Sequence, residues 1–373
     1  MAGVYVHIPF CKKACTYCDF HFSTTFEAYR EELILALLKE IVSRKAYLQG
    51  EVVETIYFGG GTPSLLTQDE ITRIIAAIQA NFICVPEMEV TLEANPDDIE
   101  QNMLTQWKAA GINRLSIGVQ SFDDNDLKWM NRAHTSEESI RSIELAKQQG
   151  FLVTIDLIYG LPNVSNEEWT INLTKAVDLG PDHISAYCLT VEENTLLDLW
   201  TKKGKIARVP EEEQAEQFDV LLDYLENQGY EQYEISNFAR NNKYAKHNTN
   251  YWRGKTYIGV GPSAHSYNGG KRAWNVSNNQ LYIKAWKYGI SCLEEEVLTQ
   301  QDRFNELLMT GLRTKWGVDL VELERILPLE SSFMTYIEKA VINEEMIRDS
   351  NQIILTKKGR LRADKIASDL FVV

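Results

Sequence analysis

The sequence predicts an α/β protein: a partial (β/α)6 barrel of the TIM type, followed by a C-terminal winged-helix-like α+β module. Two observations carry this. Six short β-branched or aromatic runs alternate with segments of helical apolar spacing up to Thr190, and beyond it the alternation stops. Strands alternating with helices imply a parallel sheet with helices outside it, and their regular spacing favours one curved sheet over separate domains.

The strand candidates are 4–8 (VYVHI), 52–58 (VVETIYF), 88–94 (MEVTLEA), 114–120 (RLSIGVQ), 151–158 (FLVTIDLI) and 183–190 (HISAYCLT). Between them, Leu33, Leu37, Leu38 and Ile41 recur at helical spacing, as do Ile71, Ile74, Ile75 and Ile78. Ligands of such barrels gather at the C-terminal ends of the strands. Gly59, Gly60 and Gly61 follow the second strand, Glu93 the third and Gln120 the fourth. A loop with Lys202, Lys203, Lys205 and Arg208 then leads to Pro210 and a helix with Glu211 to Glu213 at its positive end. Its buried stripe reads as Ala215, Phe218, Leu221, Leu222 and Leu225. A Gly- and Asn-rich stretch runs from about 236 to 280; two helical patterns, the hairpin-like MIRDSNQIILT and a Lys/Arg-rich helix close the chain. The expected boundaries are 1–210 for the barrel, 211–300 for its extension and 301–373 for the module.

A hydrophobic content of 44% supplies a large core, and a formal charge of -15 argues against general affinity for nucleic-acid phosphates or anionic membranes. No apolar run approaches the roughly 18 residues of a membrane span, and MAGVYVHIPF carries no leader pattern. A cytoplasmic protein without a membrane span is expected. Of six cysteines, Cys11, Cys15 and Cys18 crowd into one loop, while Cys84, Cys188 and Cys292 lie scattered in apolar surroundings and read as buried small hydrophobes.

Cys11, Cys15 and Cys18 directly follow the first strand, so one loop presents three thiolates at the barrel mouth. Three thiolates can hold three irons of a [4Fe–4S] cubane and leave the fourth open to the amino and carboxylate groups of S-adenosylmethionine (SAM). With His21 they equally make a Cys3His zinc set. The loop alone does not decide. The Gly-Gly-Gly-Thr-Pro run at 59–63, whose bare backbone can approach an amino-acid moiety, favours the cluster.

The motifs YVHIPFCKKACTYC (5–18), YFGGGTPS (57–64), LEANP (92–96), SIGVQSF (116–122) and DLIYGLP (156–162) resemble those of the HemN-like radical SAM family. That family includes oxygen-independent coproporphyrinogen III oxidases and heme chaperones. The resemblance implies a [4Fe–4S] cluster on Cys11, Cys15 and Cys18, with Tyr5 packed near it and Gly60, Gly61 and Thr62 along the methionine part of SAM. It also implies Glu93 and Arg132 near SAM's polar groups and Gln120 and Asp156 near its ribose. On the residues alone, Arg132 could instead pair with Asp126, and Asp156 could be a core carboxylate.

Two departures separate the chain from the oxidases. They carry a further Cys two positions after the third ligand, where this chain has Phe20, and an N-terminal extension before the loop, whereas here the first ligand is residue 11. The segment from His247 to Trp252 resembles the H-N-x-x-Y-W pattern of the chaperone branch. It implies heme bound by His247, Tyr251 and Trp252, since a neutral imidazole ligates iron and aromatic rings cover a porphyrin face. His265 is a weaker candidate, read more readily as a buried structural histidine. The implied activity is delivery of heme to apo-hemoproteins, respiratory ones among them, with an electron donor for the cluster and a monomer or dimer as the unit. The alternative is oxidative decarboxylation of porphyrinogen propionates. A nucleic-acid adaptor using Lys357, Lys358, Arg360, Arg362 and Lys365 is disfavoured by the overall acidity.

Overall fold

The computed structural model describes residues 1–372. Six parallel strands form its centre: β1 (Ala2–Ile8), β2 (Val53–Gly60), β3 (Cys84–Ala94), β4 (Arg114–Gln120), β5 (Leu152–Tyr159) and β6 (His183–Cys188). Between and after them come α1 (Arg30–Ser43), α2 (Gln68–Asn81), α3 (Gln101–Ala109), α4 (Asp124–Trp129), α5 (Ser136–Gln148), α6 (Asn166–Leu179), α7 (Leu196–Lys202) and α8 (Glu211–Asn227). Helices α2, α5 and α6 each begin with a reciprocal cap, Thr67 with Glu70, Thr135 with Glu138 and Ser165 with Glu168, which satisfies free amides of the first turn.

The outward strand faces are apolar. Val4, Val6, Ile56, Phe58, Leu92, Leu115, Ile117, Val153, Ile155 and Ile184 are fully buried against the helix layer. The alternate residues face inward and are polar: Tyr5 and His7, Thr55 and Tyr57, Glu89, Thr91 and Glu93, Arg114 and Ser116, Thr154 and Asp156, His183 and Ser185. Arg114 Nε donates to Glu89 Oε2 at 3.0 Å and its Nη1 to Thr154 Oγ1 at 3.0 Å. An interior of this kind holds hydrogen-bonding ligands and structure in place of a packed aliphatic core.

The Gly- and Asn-rich stretch is more regular than its composition suggests. After β7 (Glu231–Glu234) and β8 (Asn237–Ala239) it contains α9 (Lys246–Trp252), β9 (Tyr257–Val260), β10 (His265–Tyr267) and β11 (Lys271–Asn275). Then follow α10 (Asn279–Tyr288) and β12 (Leu293–Val297), completing one sheet ordered β12-β11-β10-β9-β1-β2-β3-β4-β5-β6-β8-β7. Strand β9 runs parallel to β1, while β10, β11, β12, β8 and β7 are antiparallel additions. Helix α9 packs against the inward faces of β1, β2 and β3: the His247 amide donates to Glu89 Oε1 at 3.1 Å, and Arg114 Nη2 donates to the Lys243 and Tyr244 carbonyls just before the helix.

The C-terminal segment has its own apolar core, including Phe304, Leu308, Leu323, Ile337, Ile353 and Ile366. It comprises α11 (Gln300–Leu312), β13 (Val318–Asp319), α12 (Leu320–Ile326), α13 (Ser331–Ile342), β14 (Met346–Asp349), β15 (Gln352–Leu355), α14 (Lys357–Arg360) and α15 (Ala363–Asp369). Its three strands form an antiparallel sheet ordered β13-β15-β14. The basic residues there are engaged within the chain: Lys357 with Asp223, Lys358 with the Asn343 carbonyl, Arg360 with Gln232, Arg362 with Glu345 and Lys365 with Asp369.

Candidate functional site

At the C-terminal ends of the six parallel strands lies a cavity of about 400 Å³. Cys11, Cys15, Cys18, Gly60, Gly61, Thr62, Glu93, Gln120, Arg132 and Asp156, which the sequence singles out from six separate segments, all line it. Thr62 Oγ1 donates to Cys11 Sγ at 3.5 Å, and Arg132 Nη1 to Cys15 Sγ at 3.4 Å. Burial pushes the Cys11 thiol up to about 11, the Thr62 hydrogen bond opposing it, and the Cys18 thiol up to about 12. Such thiols ionise when metal charge is supplied next to them. His21 Nε2 is 2.7 Å from Asn279 Oδ1, so that nitrogen is engaged away from the cysteines, and three thiols opening onto one roomy cavity suit a multi-iron cluster.

The glycine run approaches the cluster loop closely. A Cβ on Gly61 would lie 2.6 Å from the Phe10 carbonyl oxygen and 2.8 Å from that of Ile8. Only a bare backbone fits there, immediately before Cys11. Gly60, at φ +108°, donates its amide to Glu93 Oε2 at 3.1 Å, and Tyr57 donates its hydroxyl to Glu93 Oε1 at 2.8 Å. Burial raises Glu93 to about 7, with the Tyr57 hydrogen bond opposing it and the Asp156 charge adding to it. Burial likewise raises Asp156 to about 6 against hydrogen bonds from Ser185 and Ser116. Two carboxylates in one cavity suit a cationic ligand with hydroxyl donors.

Arg132 Nη2 donates to Asn95 Oδ1 and the Gly118 carbonyl, both at 2.8 Å, while its buried Nε has no partner in the protein. It does not pair with Asp126, whose Oδ2 accepts from Ser121 at 2.7 Å. Gln120 reaches the cavity because β4 shifts register between Ile117 and Gln120 and leaves Gln120 at φ +67°, the left-handed region that costs a non-glycine residue energy.

Other expected residues lie outside the lining or differ in burial. Tyr5 does not line the cavity: its hydroxyl is 3.2 Å from His7 Nδ1 and its ring stacks on Tyr57 at 6.1 Å, one layer deeper in the barrel. His247 is 2% exposed and lines no cavity here; its Nδ1 is 2.9 Å from Thr55 Oγ1, and its ring stacks on Tyr57 at 5.1 Å. Burial alone lowers it to about 3, so it is neutral, with Nε2 unpartnered. Tyr251 and Trp252 do line a second cavity of about 400 Å³, with Glu234, Asn237, Thr310 and Arg313; Tyr187 and Asn248 border both cavities. His265 is exposed, stacked on Trp274 at 6.0 Å, not buried. Cys84, Cys188 and Cys292 are only half-buried, and Cys188 borders the cluster cavity. Residues missed in the sequence include Asn95, Ser116, Tyr187 and Cys188. Strand alternation and position at a strand's C-terminal end were the available signals.

Residues 5–173 match the model of the radical SAM superfamily. The chain is 32% identical to the heme chaperone HemW of Bacillus subtilis over 98% of both proteins, and 37% identical to that of Escherichia coli over 70% of this chain and 69% of that one. Among solved structures, the radical SAM enzyme coproporphyrinogen III oxidase (HemN) of Escherichia coli superimposes with a TM-score of 0.85 and 25% identity, covering 100% of this chain and 90% of that one. Radical SAM membership implies a [4Fe–4S] cluster and SAM, and the cavity's residues fit both. Full-length likeness to one relative and a shared fold with the other place this chain in the HemW family of radical SAM proteins.

Proposed function

We propose that this protein binds heme and hands it to apo-hemoproteins, with a [4Fe–4S] cluster on Cys11, Cys15 and Cys18 and SAM beside it in the barrel mouth. The observation that carries this reading is the 32% identity to a heme chaperone over 98% of both chains. When bound, the cluster supplies an electron that can cleave the sulfonium of SAM. The chain's residues supply the rest. Gly60 and Gly61 let backbone approach the amino-acid end of SAM, Arg132 meets its carboxylate, and Glu93 and Asp156 balance its positive charge and accept from its hydroxyls.

For heme, Tyr251 and Trp252 offer aromatic faces in the second cavity. His247 is already in the neutral form that ligates iron, but its Nε2 is enclosed, so ligation requires α9 to turn that face outward. Heme titration followed by Soret absorbance tests this on wild type, His247→Ala and Trp252→Ala. Weakened binding in both variants supports the reading; equal binding in all three removes α9 from it. The fold shared with coproporphyrinogen III oxidase favours one competing activity. Anaerobic conversion of coproporphyrinogen III to protoporphyrinogen would establish that oxidase instead.

A further inference from the structure

We propose that Asn95 is a positioning residue for the cluster: with Thr62 and Arg132 as its two arms, it joins the hydrogen bonds on two ligand sulfurs into one chain and so raises the reduction potential. The inference deepens the cluster reading and rests on it. Asn95 follows β3 directly, ahead of the one-turn 3-10 helix Pro96–Asp98, and lines the cavity. Arg132 Nη2 donates to Asn95 Oδ1 at 2.8 Å, and Asn95 Nδ2 donates to Thr62 Oγ1 at 3.5 Å. At the far ends Arg132 Nη1 donates to Cys15 Sγ at 3.4 Å and Thr62 Oγ1 to Cys11 Sγ at 3.5 Å.

What each member can donate or accept fixes the direction of every bond. A guanidinium only donates, so the Asn95 atom facing it must be the carbonyl oxygen. That turns the amide nitrogen toward Thr62, whose oxygen accepts and whose one proton is left for the sulfur. The chain thus begins on Arg132 and ends on both sulfurs without a mismatch. Other contacts hold Asn95 in place. Its backbone amide donates to Ser64 Oγ at 3.4 Å, Ser64 donates to Asp98 Oδ2 at 2.7 Å, and Asp98 pairs with Lys12 of the cysteine loop. A Cβ on Gly118 would lie 3.0 Å from Arg132 Nη2 and 3.8 Å from Asn95 Oδ1, so bare backbone makes room where the two side chains meet. Thr62 is buried, which keeps water from competing for its hydroxyl.

Hydrogen bonds to cluster sulfurs favour the reduced, more negative state. A carboxylate at position 95 still accepts from Arg132 but donates nothing, so the Thr62 hydroxyl turns from Cys11 Sγ to the carboxylate. The test is a potentiometric EPR titration, with dithionite as electron source, of reconstituted full-length wild type, Asn95→Asp, Thr62→Val and the double variant. At wild-type iron content, Thr62→Val should be harder to reduce by roughly tenfold, about 60 mV for one electron, and Asn95→Asp by at least as much, its charge acting in the same direction. Adding Thr62→Val to Asn95→Asp should then shift the equilibrium less than about twofold, because the hydroxyl has already left the sulfur. Additive shifts, or an unmoved potential in either single variant, overturn the proposal. Thermal unfolding of the same four proteins without cluster gives a second readout: non-additive changes in Tm support the contact between Asn95 and Thr62, and additive ones overturn it. Wild type that takes up no iron overturns the cluster reading and the proposal with it, whereas full iron with additive shifts overturns the proposal alone.

Discussion

Lowering the pH from 8 to 6 should release SAM, and the size of the effect follows from two carboxylates. Glu93 sits at about 7 and Asp156 at about 6, both lifted chiefly by burial. SAM brings a sulfonium and an ammonium, so its bound state favours both carboxylates ionised. At pH 8 nearly all are; at pH 6 roughly one Glu93 in eleven and half of Asp156 remain so, and the apparent Kd rises roughly twentyfold. Glu93→Gln should bind more weakly at pH 8 and lose the step near 7, keeping only the one near 6. Anaerobic titration calorimetry at pH 6, 7 and 8 reads both effects. A Kd that changes less than about threefold over this range, or a Glu93→Gln variant with the full step, refutes the assignment. Stability has the opposite sign. The folded state keeps a proton on Glu93 that the unfolded chain gives up in the ordinary carboxylate range, so ligand-free protein loses stability as pH rises toward about 7, and Glu93→Gln removes that loss.

Other substitutions probe the remaining parts. Gly61→Ala must move the Phe10 carbonyl, 2.6 Å from the new Cβ, at a cost of about 1–3 kcal/mol, and should lower both iron content after anaerobic reconstitution and SAM affinity; full iron with unchanged SAM binding contradicts the close approach. His247→Ala leaves Thr55 Oγ1 unpaired and a void beside Tyr57, costing about 3 kcal/mol. A calorimetric scan should show Tm lower by about 4 °C, given roughly 2.1 cal/mol/K of unfolding entropy per residue, and an unchanged Tm means the imidazole is not packed there. Arg132→Gln removes a cation and the hydrogen bond 3.4 Å from Cys15 Sγ, so an electron paramagnetic resonance (EPR) redox titration should find a lower midpoint potential at unchanged iron content. An unmoved potential assigns Arg132 to SAM alone.

The barrel was legible because its strands are short apolar-faced runs separated by helices whose own periodicity is clear: β4 falls on the expected residues, and β1, β2, β5 and β6 within about two. The cluster cavity was legible for the same reason, since strand order alone brings Cys11, Gly60, Glu93, Gln120 and Asp156 to one end. Helix α9 was not. It spans seven residues, too few for a periodic signal, and what makes it helical is long-range: Glu89 capturing the His247 amide and Arg114 capturing two carbonyls before it. The same contacts turn His247 inward, which no local pattern encodes. Cys188 looked like a core thiol because its neighbours are apolar, yet it closes β6 at the cavity end, where Glu93 and Gln120 stand on their own strands. Tyr5 shares the inward face with His7 and stands behind the lining, its ring against Tyr57, which does line the cavity.

The account rests on a metal centre with one corner left for a nucleotide, and anaerobic iron–sulfur reconstitution with metal analysis and EPR, with and without SAM, tests that directly. It predicts about four irons per chain, lost when Cys11, Cys15 or Cys18 is replaced by Ala, and a reduced-state spectrum that changes when SAM is added. One zinc per chain, or a spectrum that SAM leaves untouched, would contradict it.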